Sequence, residues 1–426
     1  MRYTRRAVDT TLDRWLQGHA AIALEGAKGV GKTATASQRA ATVVDLSMTE
    51  RRAAAQANED LLAALPGPVF VDEWQLVPSV WDSVRRAVDA DWTPGRFILA
   101  GSASADPGVR IHSGAARIVS LRMRPMSIAE RGLVSPTVSL RELLAGKARP
   151  VEGSSPLTLS DYTDEILASG FPGIRRLPDQ DFRDDQLDTY IARIADHELP
   201  ENGITVRRSS VLRSWLAAYA AATAGTASYS TILDAATPGE DSKPTRTTAD
   251  TYRDHLSRIF ILEPLQAWHP SFNPLKKLAA APKHHLVDPA LAARLVGVKK
   301  TALLMGDGSA PSAATGTWLG ALFESLVVQS VRVYAEAQRA SVSHLRVNNG
   351  RGPREVDVIV EGDDRRVVAI EIKLAGTVTD RDVRHLHWLH QQIRDRLADK
   401  IVINTGAHAY RRSDGVAVIP LALLGM

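Results

Sequence analysis

There is no cysteine in this chain of 426 residues, which excludes disulfides and any zinc or redox centre built on thiolates. No apolar run reaches the roughly 18 residues that a membrane-crossing helix needs. The opening residues, MRYTRRAVDTTLDRW, carry basic groups with no apolar stretch behind them, so a secretory signal is not expected. Self-similarity at spacings of about 20–50 residues, the mark of repeat proteins, is also missing. The net charge of +4 is small for the length; it permits a nucleic-acid partner without requiring one. With 44% hydrophobic and 23% charged residues, the composition is that of a soluble, folded chain too long for one core. Two to four domains, a cytoplasmic location and no membrane partner are the expectation.

What is present is a nucleotide-binding pattern. In AIALEGAKGVGKT an apolar run leads into Gly26, Ala27, Lys28, Gly29, Val30, Gly31, Lys32, Thr33 and Ala34, and a helical stretch follows. The glycines let the backbone curl around phosphates, Lys32 reaches the terminal phosphates and Thr33 ligates Mg²⁺. A second apolar run, PGPVFVDEWQ, ends in Asp72 and Glu73. Asp72 there sits beside the Mg²⁺, and Glu73 can polarise the attacking water. ATP and Mg²⁺ are therefore the expected ligands. A third run, RFILAGSAS, offers Ser102 as a sensor of the γ-phosphate, and GAARIVSLRMRP offers Arg117, Arg122 and Arg124 to neutralise transition-state charge.

GAKGVGKT, VDEWQ, LAGSAS and GAAR…LRMRPMSIAE, taken together, resemble the prokaryotic AAA-type ATPases that carry a C-terminal domain of unknown function with a restriction-endonuclease-like core. Members show Gly-Arg shortly before a Pro-Leu-Ser…Glu segment. Arg117 and the run from Pro125 to Glu130 fill those places, with Met126 for leucine. The resemblance implies the arginine role for Arg117, acting in its own chain or on a neighbour in a ring or dimer. It also matches Ser169-Gly170-Phe171-Pro172 to a Gly-Gly-Tyr-Pro element, and Asp196 to the end of an arginine-aspartate pair.

The implied fold is α/β and multidomain. An AAA-type P-loop domain is expected over 1–135 and a connector with helical segments over 136–205. A winged-helix-like domain then covers 206–304, and a PD-(D/E)-x-K nuclease-like domain 312–426. In the third stretch three helical segments precede a wing, and a third helix that enters a DNA groove would place Lys243, Arg246 and Arg253 on phosphates. DNA is the expected partner.

In the last stretch, EVDVIVEGDDRRVVAIEIK reads as a hairpin carrying ionisable groups among valines and isoleucines. Glu371 and Lys373 share a strand face, and the hairpin brings Asp357 beside Glu371. Two such carboxylates repel unless a cation lies between them, and Mg²⁺ takes oxygen ligands of this kind. Asp357, Glu371 and Lys373 would then be catalytic, with Glu324 from the preceding helix as a further metal ligand and Arg346, Arg351 and Arg354 nearby for phosphates. The alternative is a wet sheet face, with Asp357 paired to Arg354. Function divides accordingly between an ATPase that cuts DNA, a DNA-remodelling motor with a silent nuclease fold, and a nucleotide-controlled scaffold for a protein partner.

Overall fold

The computed structural model describes residues 3–58, 60–101, 114–146, 150–198, 209–236, 245–270, 280–306, 308–348 and 352–426. The four stretches read from sequence are gathered into two compact units. One comprises Met1–Arg124 with His197–Thr205 and Asp254–Ile261; the other comprises Pro125–Asp196, Val206–Arg253 and Leu262–Met426. Among the described residues no helix is long and apolar enough to cross a membrane.

The first unit begins with helix α1 (Ala7–Trp15), strand β1 (Ala21–Glu25) and the short helix α2 (Lys32–Ser37). Strands β2 (Thr42–Asp45) and β3 (Val69–Asp72), helix α3 (Ser79–Ala90), and strands β4 (Phe97–Gly101) and β5 (Ile118–Arg122) follow. The five strands are all parallel, in the order β2-β3-β4-β1-β5. Parallel sheets are covered on both faces, which is why AIAL, VFV and FILA are apolar at consecutive positions and not at alternate ones. Ile22, Leu24, Phe70, Ile98 and Leu121 face Leu12 of α1 and Ala36 of α2. Ala21, Ala23, Val69, Val71 and Leu99 face Val80, Val84 and Val88 of α3.

The second unit carries strand β6 (Gly153–Ser154), helices α4 (Ser209–Ala221), α5 (Tyr229–Ala236), α7 (Gly316–Ala337) and α8 (Asp380–Ile393), and part of helix α6 (Arg246–Arg258). Its strands continue with β7 (Ser341–Asn348), β8 (Pro353–Glu361), β9 (Val367–Ile372), β10 (Leu397–Asn404), β11 (His408–Arg411) and β12 (Ala417–Pro420). They form a mixed sheet in the order β7-β8-β9-β10-β12-β11-β6. The β7-β8 and β8-β9 pairs are antiparallel, whereas β9-β10 and β10-β12 are parallel. Val367 and Ala369 pack under Val383, Leu386 and Leu389 of α8. Residues 209–258 hold three helices, α4, α5 and α6. The residues expected as the wing do something further: Leu262 bridges Leu286, Leu265 bridges Lys283, and Ala267 joins His344 of β7. They form a hairpin laid along the edge of the sheet.

Pro125–Glu130, matched by resemblance to a family signature, is an anchor in this unit. Ser127 and Glu130 make a reciprocal cap, while the Ile128 and Ala129 amides donate to Ser330 Oγ (3.2 Å) and Tyr334 Oη (3.1 Å) of α7. Ser169-Gly170 is tied in too: the Met126 amide donates to the Gly170 carbonyl (2.7 Å) and the Gly170 amide to buried Asp288 (2.7 Å). Asp196 pairs with Arg213 at 3.2 Å on an exposed surface.

Gly26 follows β1 at a point where no side chain fits. A Cβ there would lie 2.1 Å from the Met123 carbonyl oxygen. Gly26→Ala is expected to destabilise the first unit by about 3 kcal/mol through forced backbone movement. Gly18→Ala, with nothing within 4 Å of its Cβ, serves as the near-neutral control in the same thermal-unfolding measurement.

Candidate functional site

The nucleotide loop hangs from the carboxyl end of β1. Gly29 (φ 85°) and Gly31 (φ 106°) take left-handed backbone conformations that side chains resist. Buried Lys32 turns back into the loop, where its ammonium donates to the carbonyls of Gly26 (2.7 Å) and Ala27 (3.1 Å). Burial lowers its pKa from the ordinary 10.5 to about 8, against the opposing pull of Glu73 and Asp72. The loop is braced from outside: Arg6 donates to the Val30 carbonyl at 3.0 Å and to the Arg124 carbonyl at 2.9 Å. Lys28 at the loop's outer side pairs with Glu198 at 2.8 Å.

Thr33 Oγ1 donates to Asp72 Oδ2 at 2.8 Å, so the two groups expected to share Mg²⁺ meet directly. Burial raises the Asp72 pKa. Glu73 sits one residue past the end of β3 in a left-handed conformation (φ 51°, ψ 44°). A non-glycine residue there carries about 1–3 kcal/mol of strain, and the turn sends its carboxylate away from the direction the strand would impose. Gln75 Nε2 donates to Glu73 Oε2. Gln75 was missed by sequence reading; its signal was only its position two residues beyond Glu73.

Ser102 lies outside the described residues, as do Lys243 and Arg351. Arg117 is described, and strand register places it away from the loop of its own chain. In parallel β1 and β5, Ala21 lies opposite Ile118 and Glu25 opposite Arg122. Arg117 is therefore at the far end of the sheet from the loop, about 16 Å of strand away, and pairs with Asp89 of α3 at 2.7 Å. Arg122 is at the loop end. Its charge contributes to lowering the Lys32 pKa, and its guanidinium lies 3.6 Å from the ring centroid of Phe260.

The second constellation is in the C-terminal sheet. Val358 lies opposite Ile370 in the β8-β9 register, so one step further brings Asp357 opposite Glu371 as expected. Asp357 Oδ2 accepts from the Ile372 amide at 2.9 Å, and Lys373 Nζ holds Glu371 Oε2 at 3.0 Å. The cation among the carboxylates is a lysine. Lys283, only 2% exposed, places Nζ 2.8 Å from Glu324 Oε1, 2.9 Å from Glu355 Oε1 and 3.2 Å from Asp357 Oδ1. These are ammonium hydrogen-bond lengths, well beyond the roughly 2.0–2.1 Å of Mg²⁺–oxygen bonds. Among the described residues no group of three or more acids and histidines is arranged to hold a metal ion. The expectation that Glu324, Asp357 and Glu371 face a divalent cation is thus met by an ammonium at Glu324 and Asp357. Arg354, offered as a partner for Asp357, instead lies 5.9 Å from the ring centroid of Trp388.

Burial works against the Lys283 charge, but Asp357, Glu324 and Glu355 outweigh it and raise its pKa. Glu324 and Glu371 are both raised, by burial first and by Asp357 second. Sequence reading left Lys283 unremarked inside the expected winged-helix-like domain. Its signal was one basic residue at the start of the strand-like run KHHLV.

Residues 18–131 match the family model described as AAA domain. Residues 159–302 and 319–424 each match a domain of unknown function, DUF8612 and DUF4143 respectively. The first unit thus carries a P-loop ATPase domain of the AAA type, a class that binds and hydrolyses ATP. The chain is similar to uncharacterised proteins of Mycobacterium bovis and Mycobacterium tuberculosis. Each is 24% identical over 363 residues, covering 84% of this chain and 69% of the relative. Among solved structures, the Walker-type ATPase PABY2304 of Pyrococcus abyssi is 17% identical with a TM-score of 0.39, over 69% of this chain and 98% of that one. The ORC2 protein of Aeropyrum pernix is 14% identical with a TM-score of 0.28, over 68% and 90%.

Two measurements check these assignments. Because the Lys32 pKa is lowered to about 8, the unfolded chain holds more protons between pH 8 and 10.5, and this group's contribution to stability rises with pH across that window. Phosphate restores the charge, so ATP binding at pH 9 should take up most of a proton and at pH 6.5 almost none. Calorimetry in buffers of different ionisation enthalpy reads the difference. Lys283→Met should cost about 3–5 kcal/mol in denaturant unfolding, since it leaves buried acids without their cation.

Proposed function

We propose that this chain is an ATP-driven motor that acts on DNA, with a nuclease-like C-terminal sheet that holds and does not cut. The observation that carries the ATP half is the meeting of Lys32, Thr33, Asp72 and Glu73 at the end of the parallel sheet. Lys32 would exchange its carbonyl partners for the terminal phosphates. Thr33 and Asp72 supply the hydroxyl and carboxylate oxygens that suit Mg²⁺, whose bound form would neutralise phosphate charge. Glu73, steadied by Gln75, would orient the attacking water and draw off its proton.

The DNA half rests on the resemblance, on the order of domains it implies and on the basic residues of α6. Arg253 of that helix pairs with Asp250 at 2.9 Å and lies over the Tyr229 ring, which leaves Arg246 as the clearer phosphate contact. Asp357, Glu371 and Lys373 are the residues that would cleave. The ammonium beside Asp357 supports the reading in which they do not.

Glu73→Gln should keep ATP binding and lower kcat by about 10²–10⁴-fold, while Lys32→Ala should lose both binding and turnover. Turnover by the parent protein is to be followed with single-stranded, duplex, forked and four-way DNA. Indifference to all four would remove DNA as the partner and favour the scaffold reading. For Arg117, a trans role in an oligomer predicts that mixing inactive Arg117→Ala with inactive Lys32→Ala restores part of the turnover. Mixtures that stay inactive would remove that role.

A further inference from the structure

We infer that Lys283 is a built-in cation that keeps a divalent-metal site in the C-terminal sheet closed. The inference stands on the carboxylate geometry alone and holds whatever the ATPase acts on. A lysine ammonium has three N–H donors; here it donates to Glu324 and Asp357 and is ion-paired with Glu355 at 2.9 Å. No solvent share is left for a side chain 2% exposed. The lysine is not a flexible tail that wandered in. Its amide donates to the Leu265 carbonyl at 2.9 Å and its carbonyl accepts from the Leu265 amide at 2.8 Å. The hairpin that fixes its backbone is joined in turn to β7 through Ala267 and His344.

A second observation points to a cation larger in charge than one ammonium. Glu371 Oε1 is buried and accepts no hydrogen bond among the described residues; His385 Nδ1 lies 4.0 Å from it. That nitrogen already meets the Glu355 carbonyl at 2.8 Å. Four acids therefore face two ammonium groups, Lys283 and Lys373, and one acid oxygen is left unanswered. Hard divalent cations take this kind of oxygen set. To bind one at Mg²⁺-like lengths, the carboxylates would close in by about 0.7–1.2 Å from their present distances, and Lys283 stands in the position they would close upon.

The test uses the full-length chain with Mn²⁺ alone as the probe. The unaltered protein should show no Asp357-dependent Mn²⁺ binding by calorimetry or electron paramagnetic resonance, and no change in Tm on addition of Mn²⁺. Lys283→Ala should bind Mn²⁺ and gain about 5–10 °C in Tm at a hundredfold excess over Kd. Adding Asp357→Asn should abolish both effects. Where Lys283→Ala fails to fold without metal, Lys283→Ala/Glu324→Gln removes one acid with the ammonium and gives the same readout. The inference is overturned if the unaltered protein binds Mn²⁺ through Asp357. It is equally overturned if the folded lysine variants neither bind the ion nor gain stability from it.

Discussion

An ammonium group taken out of water must find acid oxygens or yield its proton, and this chain meets that requirement twice with opposite results. Lys32 is buried among backbone carbonyls, with Asp72 and Glu73 near enough to attract but not to neutralise it, and burial wins. Lys283 is buried among three carboxylates at hydrogen-bond distance, and the carboxylates win. The first lysine is held in a state that a polyphosphate would improve. The second is held in a state that little could improve. That difference in electrostatic satisfaction separates a residue poised to bind a ligand from one that already acts as a ligand within its own fold.

Backbone conformation sets each lysine in place. Around Lys32 the chain runs through Gly29 and Gly31 at positive φ, and Arg6 ties the Val30 and Arg124 carbonyls together. This loop curls because glycine permits it and is fastened by a guanidinium. Lys283 sits on a hairpin whose two-way hydrogen bonds with Leu265 fix where the side chain starts. Neither lysine relies on a favourable rotamer alone. A substitution that spares the lysine but moves the hairpin, such as one at Leu265, therefore acts on the carboxylates as surely as one at Lys283.

The P-loop was legible because its chemistry is local: the glycines, Lys32 and Thr33 lie within one turn of chain, and the apolar runs before them show no alternation. Asp72 was legible because a parallel strand ends where its apolar run ends. The hairpin register that sets Asp357 opposite Glu371 was legible for the same reason, since strand periodicity fixes facing. What sequence could not give was the occupant of the space between strand and helix. Lys283 is far along the chain from Glu324 and Asp357 and belongs to a segment read as part of a winged-helix domain. Tertiary placement of a strand-like run such as KHHLV depends on which sheet edge accepts it, and no residue in the run states that. Similarly, the Pro125–Glu130 segment was noticed as a signature, yet its role as the cap and clamp on α7 emerges only from the bonds to Ser330 and Tyr334.

Register also limits which arginine can serve the nucleotide. A strand parallel to β1 has one end at the loop and one end remote from it, so two arginines flanking β5 cannot be equivalent. Arg117 takes the remote end and is paired there to Asp89. Arg122 takes the loop end, near enough for its charge to act on Lys32 and stacked on Phe260 from the returning segment Asp254–Ile261. Of these two arginines, Arg122 is therefore the one beside the loop of its own chain. A contribution from Arg117 requires the loop of another copy, reached by breaking a half-exposed ion pair of a kind worth only about 0.2–1 kcal/mol. So small a cost leaves Arg117 free to exchange Asp89 for a phosphate wherever a second chain presents one.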